Sequence, residues 1–224
     1  MRQIVTPWGE IRPSVLIFPV YYLLIIYGLI YFLPFNIFRY FFQKEDSLIE
    51  WLQFLGYFFS FLICIVILFS KKRDRSLKQT ICWILLTLFC FYVAGEEISW
   101  AERLTSIGLD SVRGINVQGE TNLHNLKGFN NYLHFSFIFT GILFGWAGWK
   151  FWPNIEALPN KKYTLFFLLV SAFYFYFDFS WITLGKRIPN HQEIFEFLMS
   201  SGLFLHCFES LKIELSKKRL KFNN

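Results

Sequence analysis

Five stretches of this chain each run for about twenty residues with almost no charge, and that pattern restricts the fold more than any other feature. They cover 14–35, 48–69, 79–98 (free of charge as far as residue 94), 131–152 and 163–184. About 20 apolar residues suffice for a helix to cross a hydrocarbon layer ~30 Å thick. A sixth run, 193–211, is more polar but of similar length. A soluble domain seldom carries one such stretch. The expectation is therefore an all-α, polytopic membrane bundle of about six transmembrane helices, one integral membrane domain over 1–224 whose immediate partner is the lipid bilayer. The first run is too long for the apolar core of a cleavable signal, and no small-x-small site follows it. It reads as a retained anchor, kinked at Pro19, which removes a backbone donor from the helix. The four cysteines, Cys64, Cys82, Cys90 and Cys207, fall inside apolar runs without metal-ligand spacing and read as small core residues.

A net charge of +6, with no soluble basic domain to grip phosphates, points to acidic lipid headgroups and away from nucleic acid. Basic residues also orient the bundle, because loops rich in Lys and Arg stay cytoplasmic. Lys71, Lys72, Arg73, Arg75 and Lys78 crowd one connection. Lys150, Lys161 and Lys162 flank another, and Lys212, Lys217, Lys218, Arg219 and Lys221 fill the tail. Six spans put all three clusters on one side with Arg2 and Arg12. The expected location is a bacterial inner membrane, with both termini cytoplasmic. Gly141, Gly145 and Gly148 recur at spacings that admit a close helix neighbour.

The longest segment without an apolar run is the loop 95–130, between the third and fourth spans. Segments of this length are commonly functional or disordered, and the Trp, Ile, Leu and Val within this one argue against disorder. It opens with Gly95-Glu96-Glu97-Ile98-Ser99-Trp100-Ala101-Glu102-Arg103. Two carboxylates at the end of a membrane helix are costly unless paired, hydrated or bound to a cation. If the helix continues through Arg103, then Glu96, Ser99, Trp100 and Arg103 share a face and Glu97 is turned about 100° away. One carboxylate would then pair with Arg103 and the other face a cavity. The alternative is a helix end anchored by Trp100 with an ordinary Glu–Arg pair.

The loop's second half, 116–125, contains Asn116, Gln118, Glu120, Asn122, His124 and Asn125. Glu120 and His124 would meet on a helical turn as an acid/base couple, two metal ligands or a local hydrogen bond. A loop held in shape by its own Asn side chains is the plainer reading. The strings GEEISWxxR and NxQGExNLHN together resemble a group of uncharacterised bacterial multi-pass membrane proteins. That resemblance implies that this loop is the functional centre and brings no activity with it. Here Ala101-Glu102 stands where the group has Gly-Gln, which adds a carboxylate.

The six-span layout brings further ionisable residues to the same end: Glu50, His134, Asp178, His191, Glu193 and Glu196. His124, His134 and His191, with Glu97, are candidate ligands for a divalent metal such as zinc, although no HExxH-like spacing supports one. Asp178, among aromatics, expects a partner such as Arg103, Arg113 or a histidine. His206 reads as a bonded core residue.

Three functions are compatible with these residues. The first is a membrane-embedded hydrolase or transferase for a lipid or lipid-linked substrate at the extracytoplasmic face. Glu96, Glu97, Glu120 and His124 would be its catalytic groups. Ser99, Trp100, Arg103, Asn116, Gln118, Asn122, Asn125 and Asp178 would bind the substrate. The second is a non-catalytic membrane subunit whose outward loop docks a partner. The third is a cation-coupled transporter, against which stands the absence of inverted repeats.

Overall fold

The structure is a computed structural model. It describes residues 4–6, 9–11, 13–34, 37, 40–41, 47–70, 75–116, 119–123, 126, 130–184 and 191–222; side chains are described from residue 15 onward except at 130–131, 177–184 and 217–222. A short hairpin, β1 (Ile4–Thr6) against β2 (Gly9–Ile11), precedes an otherwise helical chain. The helices are α1 (Pro13–Phe32), α2 (Leu48–Ser70), α3 (Leu77–Glu97), α4 (Glu102–Thr105), α5 (Asp110–Arg113), α6 (Asn130–Ile142), α7 (Gly148–Phe151), α8 (Thr164–Leu184) and α9 (Gln192–Phe222). A π-helical segment, Leu143–Ala147, joins α6 to α7.

Four of these are long and apolar enough to cross a membrane: Val15–Phe32, Leu48–Ser70, Leu77–Glu97 and Gln192–Ser216. Their outward faces are as apolar as their inward ones. On α1, α2 and α3, Leu24, Ile25, Leu62, Val66, Leu85 and Leu88 are all exposed. A helix hydrophobic all round belongs inside a large core or a bilayer, and so much exposed apolar side chain is what lipid would cover.

The inner faces make one core. Helix α2 packs against α3 and α9, and α8 packs against α6 and α9. Tyr57, Trp83, Phe166, Phe167, Tyr174, Leu198, Met199 and Leu203 are fully buried there. Small residues set the closest approaches. A Cβ on Gly202 would lie 2.7 Å from the Cβ of Phe166, so α9 and α8 touch nearly backbone to backbone. The glycine stripe of the fourth run is used inside the chain. Gly141 faces Phe167 and Ser171, and Gly145 faces Leu168, all on α8, with Ser171 Oγ donating to the Ile138 carbonyl at 2.7 Å. The cysteines are free, and Cys64 and Cys207 meet at 3.6 Å between sulfurs inside this core.

Two expectations are corrected. Helix α3 stops at Glu97 and does not run through Arg103, so Glu96, Ser99, Trp100 and Arg103 do not share a helical face. The last helix outruns the expected end at residue 211 and continues to Phe222, because 212–222 is rich in Lys, Glu, Leu and Arg, all good helix formers.

Candidate functional site: a latched loop over buried carboxylates

Helix α3 ends because the next residues turn left-handed. Ser99, Trp100 and Ala101 have φ of 48°, 54° and 69°. Each non-glycine residue held there costs on the order of 1 kcal/mol or more. Several contacts offset that cost. The Trp100 N–H donates back to the Gly95 carbonyl at 2.7 Å, closing the helix end. The indole folds across Gly95, where a Cβ would sit 2.9 Å from the ring. Its Nε1–H donates to Glu96 Oε1 at 2.5 Å. The other Glu96 oxygen accepts the Leu123 backbone N–H at 2.7 Å. Glu96, 5% exposed, therefore latches the far half of the loop to the helix that starts it.

Glu120 is held as firmly. Its Oε2 accepts from Ser99 Oγ (2.6 Å), Asn122 Nδ2 (2.7 Å) and the Arg103 guanidinium (3.2 Å). Asn122 Nδ2 also donates to Ser99 Oγ at 3.1 Å. Asn116 Nδ2 donates to both the backbone carbonyl and the side-chain oxygen of Asn122, at 2.8 and 2.7 Å. The added carboxylate Glu102 accepts from the Arg113 guanidinium and, at 2.6 Å, from the Thr121 N–H, while Thr121 Oγ1 accepts the Leu109 N–H at 2.8 Å. Bonding to Thr121, then to Arg113, lowers the Glu102 pKa from its ordinary 4.5 against the opposing effect of burial. Of the expected loop residues, the structure thus gathers Glu96, Ser99, Trp100, Arg103, Asn116, Glu120 and Asn122 into one lattice. Gln118, His124 and Asn125 lie outside the described residues.

Arg103 ties this lattice to the helices beneath. It donates to Glu50 at 2.7 Å, and both side chains are nearly buried, at 10% and 12% exposed. Burial opposes the Arg103 charge, but Glu50 and Glu120 outweigh it and raise the guanidinium's pKa further. Beneath lies a second layer. Gln53 Nε2 donates to Glu193 Oε2 at 2.7 Å and to the Glu193 carbonyl at 3.1 Å. Tyr174 donates to Glu196. His134, 2% exposed, faces Gln192 with 3.3 Å between nitrogens and lies against the Tyr174 ring. Glu97 lies within electrostatic range of Glu193, Glu196, Glu50 and Arg103, and the buried Tyr57 within range of Glu97 and Glu196. Among the described residues no hydrogen-bond donor serves the Glu97 carboxylate. Glu96 and Glu97 are adjacent in sequence and opposite in circumstance.

The expectation that Glu50, His134, Glu193 and Glu196 assemble at the loop end agrees with these contacts. Gln53, Tyr57 and Tyr174 join them without having been expected. A polar residue inside an apolar run was the available signal for Gln53; nothing marked either tyrosine. Asp178 has its side chain outside the described residues, and Arg103 and Arg113 have the carboxylate partners given above. Among the described residues no three His, Cys, Asp or Glu are arranged to hold an ion, and His124 of the expected ligand set lies outside them. His191 stacks on Tyr27 and its pKa is lowered by burial, whereas His134 turns to Gln192.

The chain is thus a helical protein with, among the described residues, four helices able by length and composition to span a membrane, and it carries a buried polar centre under a latched loop. No protein-family model matches it, and neither a curated protein nor a solved structure is similar to it.

Proposed function

We propose that this chain is a six-span membrane-embedded enzyme, a hydrolase or transferase acting on a lipid or lipid-linked substrate at the loop end of the bundle. In this reading 130–151 and α8 complete the six spans, the loop end is extracytoplasmic, and both termini lie in the cytoplasm of a bacterial cell. The observation that carries it is Glu97, a carboxylate without a hydrogen-bond donor among the described residues, next to Glu193, Glu196 and Glu50 on two neighbouring helices. A carboxylate without donors of its own and within electrostatic range of three others is suited to exchange a proton with a substrate. Glu97 is then the acid/base, with Glu193 and Glu196 setting its proton occupancy. Arg103 fixes Glu50 and presents positive charge near an anionic headgroup. Glu96 and Glu120, fully engaged in hydrogen bonds, act as the frame.

The test is turnover of a lipid panel by purified protein in proteoliposomes, comprising glycerophospholipids and isoprenyl phosphates read by mass spectrometry. Wild type is expected to convert one class, and Glu97→Gln to lose that conversion at least a hundredfold while melting as wild type does. Conversion undiminished in Glu97→Gln would sink the assignment.

A second reading has its own support. Leu104, Ile107, Leu109 and Ile115 are all exposed on the loop, and exposed apolar side chains suit a docked membrane partner. Capture of one stoichiometric membrane protein by wild type, lost in Ile107→Asp, together with no turnover on any lipid, would favour this reading.

A further inference from the structure

At the other end of the bundle, about 20 Å along α9 from Glu193, lies a cavity of about 520 Å³. It is bounded by the end of α2, the start of α3, the connection from α7 to α8, and the second half of α9. That volume falls within the range of small-molecule sites. Its polar groups are unevenly matched. Trp83, 1% exposed, lines it, and its buried indole Nε1–H has no hydrogen-bond partner among the described residues. His206, 4% exposed, leaves Nε2 without a partner, and its ring faces the backbone of Glu156 and Ala157. A neutral imidazole that donates to that backbone from Nδ1 carries a lone pair on Nε2. The two rings lie nearly parallel, 3° apart, with centroids at 6.2 Å. The buried Arg75 Nε–H is likewise unpartnered, and the Arg75 guanidinium lies 5.9 Å from the Trp83 ring centroid.

The charges on the cavity wall show the same asymmetry. Glu209 pairs with Lys162 and accepts from Tyr163, and Glu156 and Glu214 have partners of their own. Among the described residues Arg75 and Lys161 have no ion pair, and the Arg75 guanidinium donates only to the Ile67 carbonyl, at 3.3 Å. The unmatched groups are two cations, two N–H donors and one acceptor. A buried donor or acceptor left unsatisfied is destabilising, so the arrangement asks for an occupant.

We infer that this cavity binds a phosphate ester carrying a free hydroxyl, of the glycerophosphate class, with the phosphate toward Arg75 and Lys161 and the hydroxyl between Trp83 Nε1 and His206 Nε2. A hydroxyl is the simplest group that accepts from one of these neighbours and donates to the other. Such a phosphate ester comes either as the headgroup of an anionic glycerophospholipid or as a free sugar or glycerol phosphate. The position favours the headgroup. Trp83 lies about 9 Å inside the start of α3, and Trp149 and Trp152 line the same wall, as interfacial Trp residues do at headgroup depth.

Native mass spectrometry of detergent-purified protein tests this with three probes: dioctanoyl phosphatidylglycerol, dioctanoyl phosphatidylcholine and glycerol 3-phosphate. Phosphatidylglycerol is expected to bind one to one and phosphatidylcholine to fail to displace it. Trp83→Phe keeps the ring, removes the donor and should weaken binding about fivefold. Arg75→Gln and Lys161→Gln should each weaken it about tenfold. Lys161 is partly exposed, so its variant keeps the test open if Trp83→Phe does not fold. Glycerol 3-phosphate binding as tightly as the lipid supports the same site for a soluble ester. Phosphatidylcholine binding equally well, affinity unchanged in Lys161→Gln and Arg75→Gln, or no binding of either phosphate ester overturns the inference.

Discussion

The loop lattice and the carboxylates under it meet at the adjacent residues Glu96 and Glu97 and are built to opposite rules. In the lattice, Glu96, Glu102 and Glu120 each accept at least two hydrogen bonds, most from within the loop or its supporting turn. Below it, Glu97, Glu193, Glu196 and Glu50 come from three helices and act on one another through space. A carboxylate saturated with donors holds a shape and gives little to chemistry. A carboxylate among other carboxylates is free to exchange a proton. Two adjacent residues with the same side chain thus sit in opposite surroundings.

Removing the residue that joins the layers should have the largest effect. Arg103→Gln takes the positive charge from between Glu50 and Glu120, both largely buried, and should cost about 3–5 kcal/mol, seen as a drop in detergent melting temperature. Next comes Glu96→Ala, which leaves the Trp100 indole and the Leu123 amide without their acceptor and should cost about 2–3 kcal/mol. Amide exchange at Leu123 should rise with it. Gly95→Ala drives a methyl into the Trp100 ring; a loss of about 1–3 kcal/mol, with a shift in tryptophan emission, is expected. A smaller effect belongs to pH. The Glu102 pKa is lower folded than unfolded, so its contribution is complete above about pH 4.5 and is lost as pH falls through the folded value. Tryptophan emission titrated from pH 6 to 3 should show the loop loosening in that window in wild type, and Glu102→Gln should abolish the step. Smallest in stability is Glu97→Gln, expected to melt at or slightly above wild type because one carboxylate leaves a group of four. If Glu97→Gln were instead as destabilising as Glu96→Ala, the division between the layers would fail.

Apolar run length made the helices legible in the sequence. The run 48–69 became Leu48–Ser70 and 163–184 became Thr164–Leu184, because period and length survive any arrangement of neighbours. The end of α3 was not legible. Ser, Trp and Ala seldom adopt left-handed backbone, and the turn exists through contacts with Gly95 and Glu120 that propensity does not record. The polar character of Glu96, Ser99, Arg103, Glu120 and Asn122 was plain, while the partition between Glu96 and Glu97 was not. It depends on the Leu123 amide and on Glu193 and Glu196, residues far along the chain that only the packing of α9 against α2 brings near.

The π-helical segment Leu143–Ala147 puts one residue more into a turn than the α-helix on either side. It acts as a phase shifter. Upstream of it Gly141 meets Ser171; downstream, the face that would have continued toward α8 is rotated by about 100°. Trp149 is turned onto the Gly145 carbonyl and Thr164 and into the cavity wall. Deleting a single residue within 143–147 would return the helix to constant phase. The upper half of its packing would survive, while Trp149 would swing away from the wall it now forms.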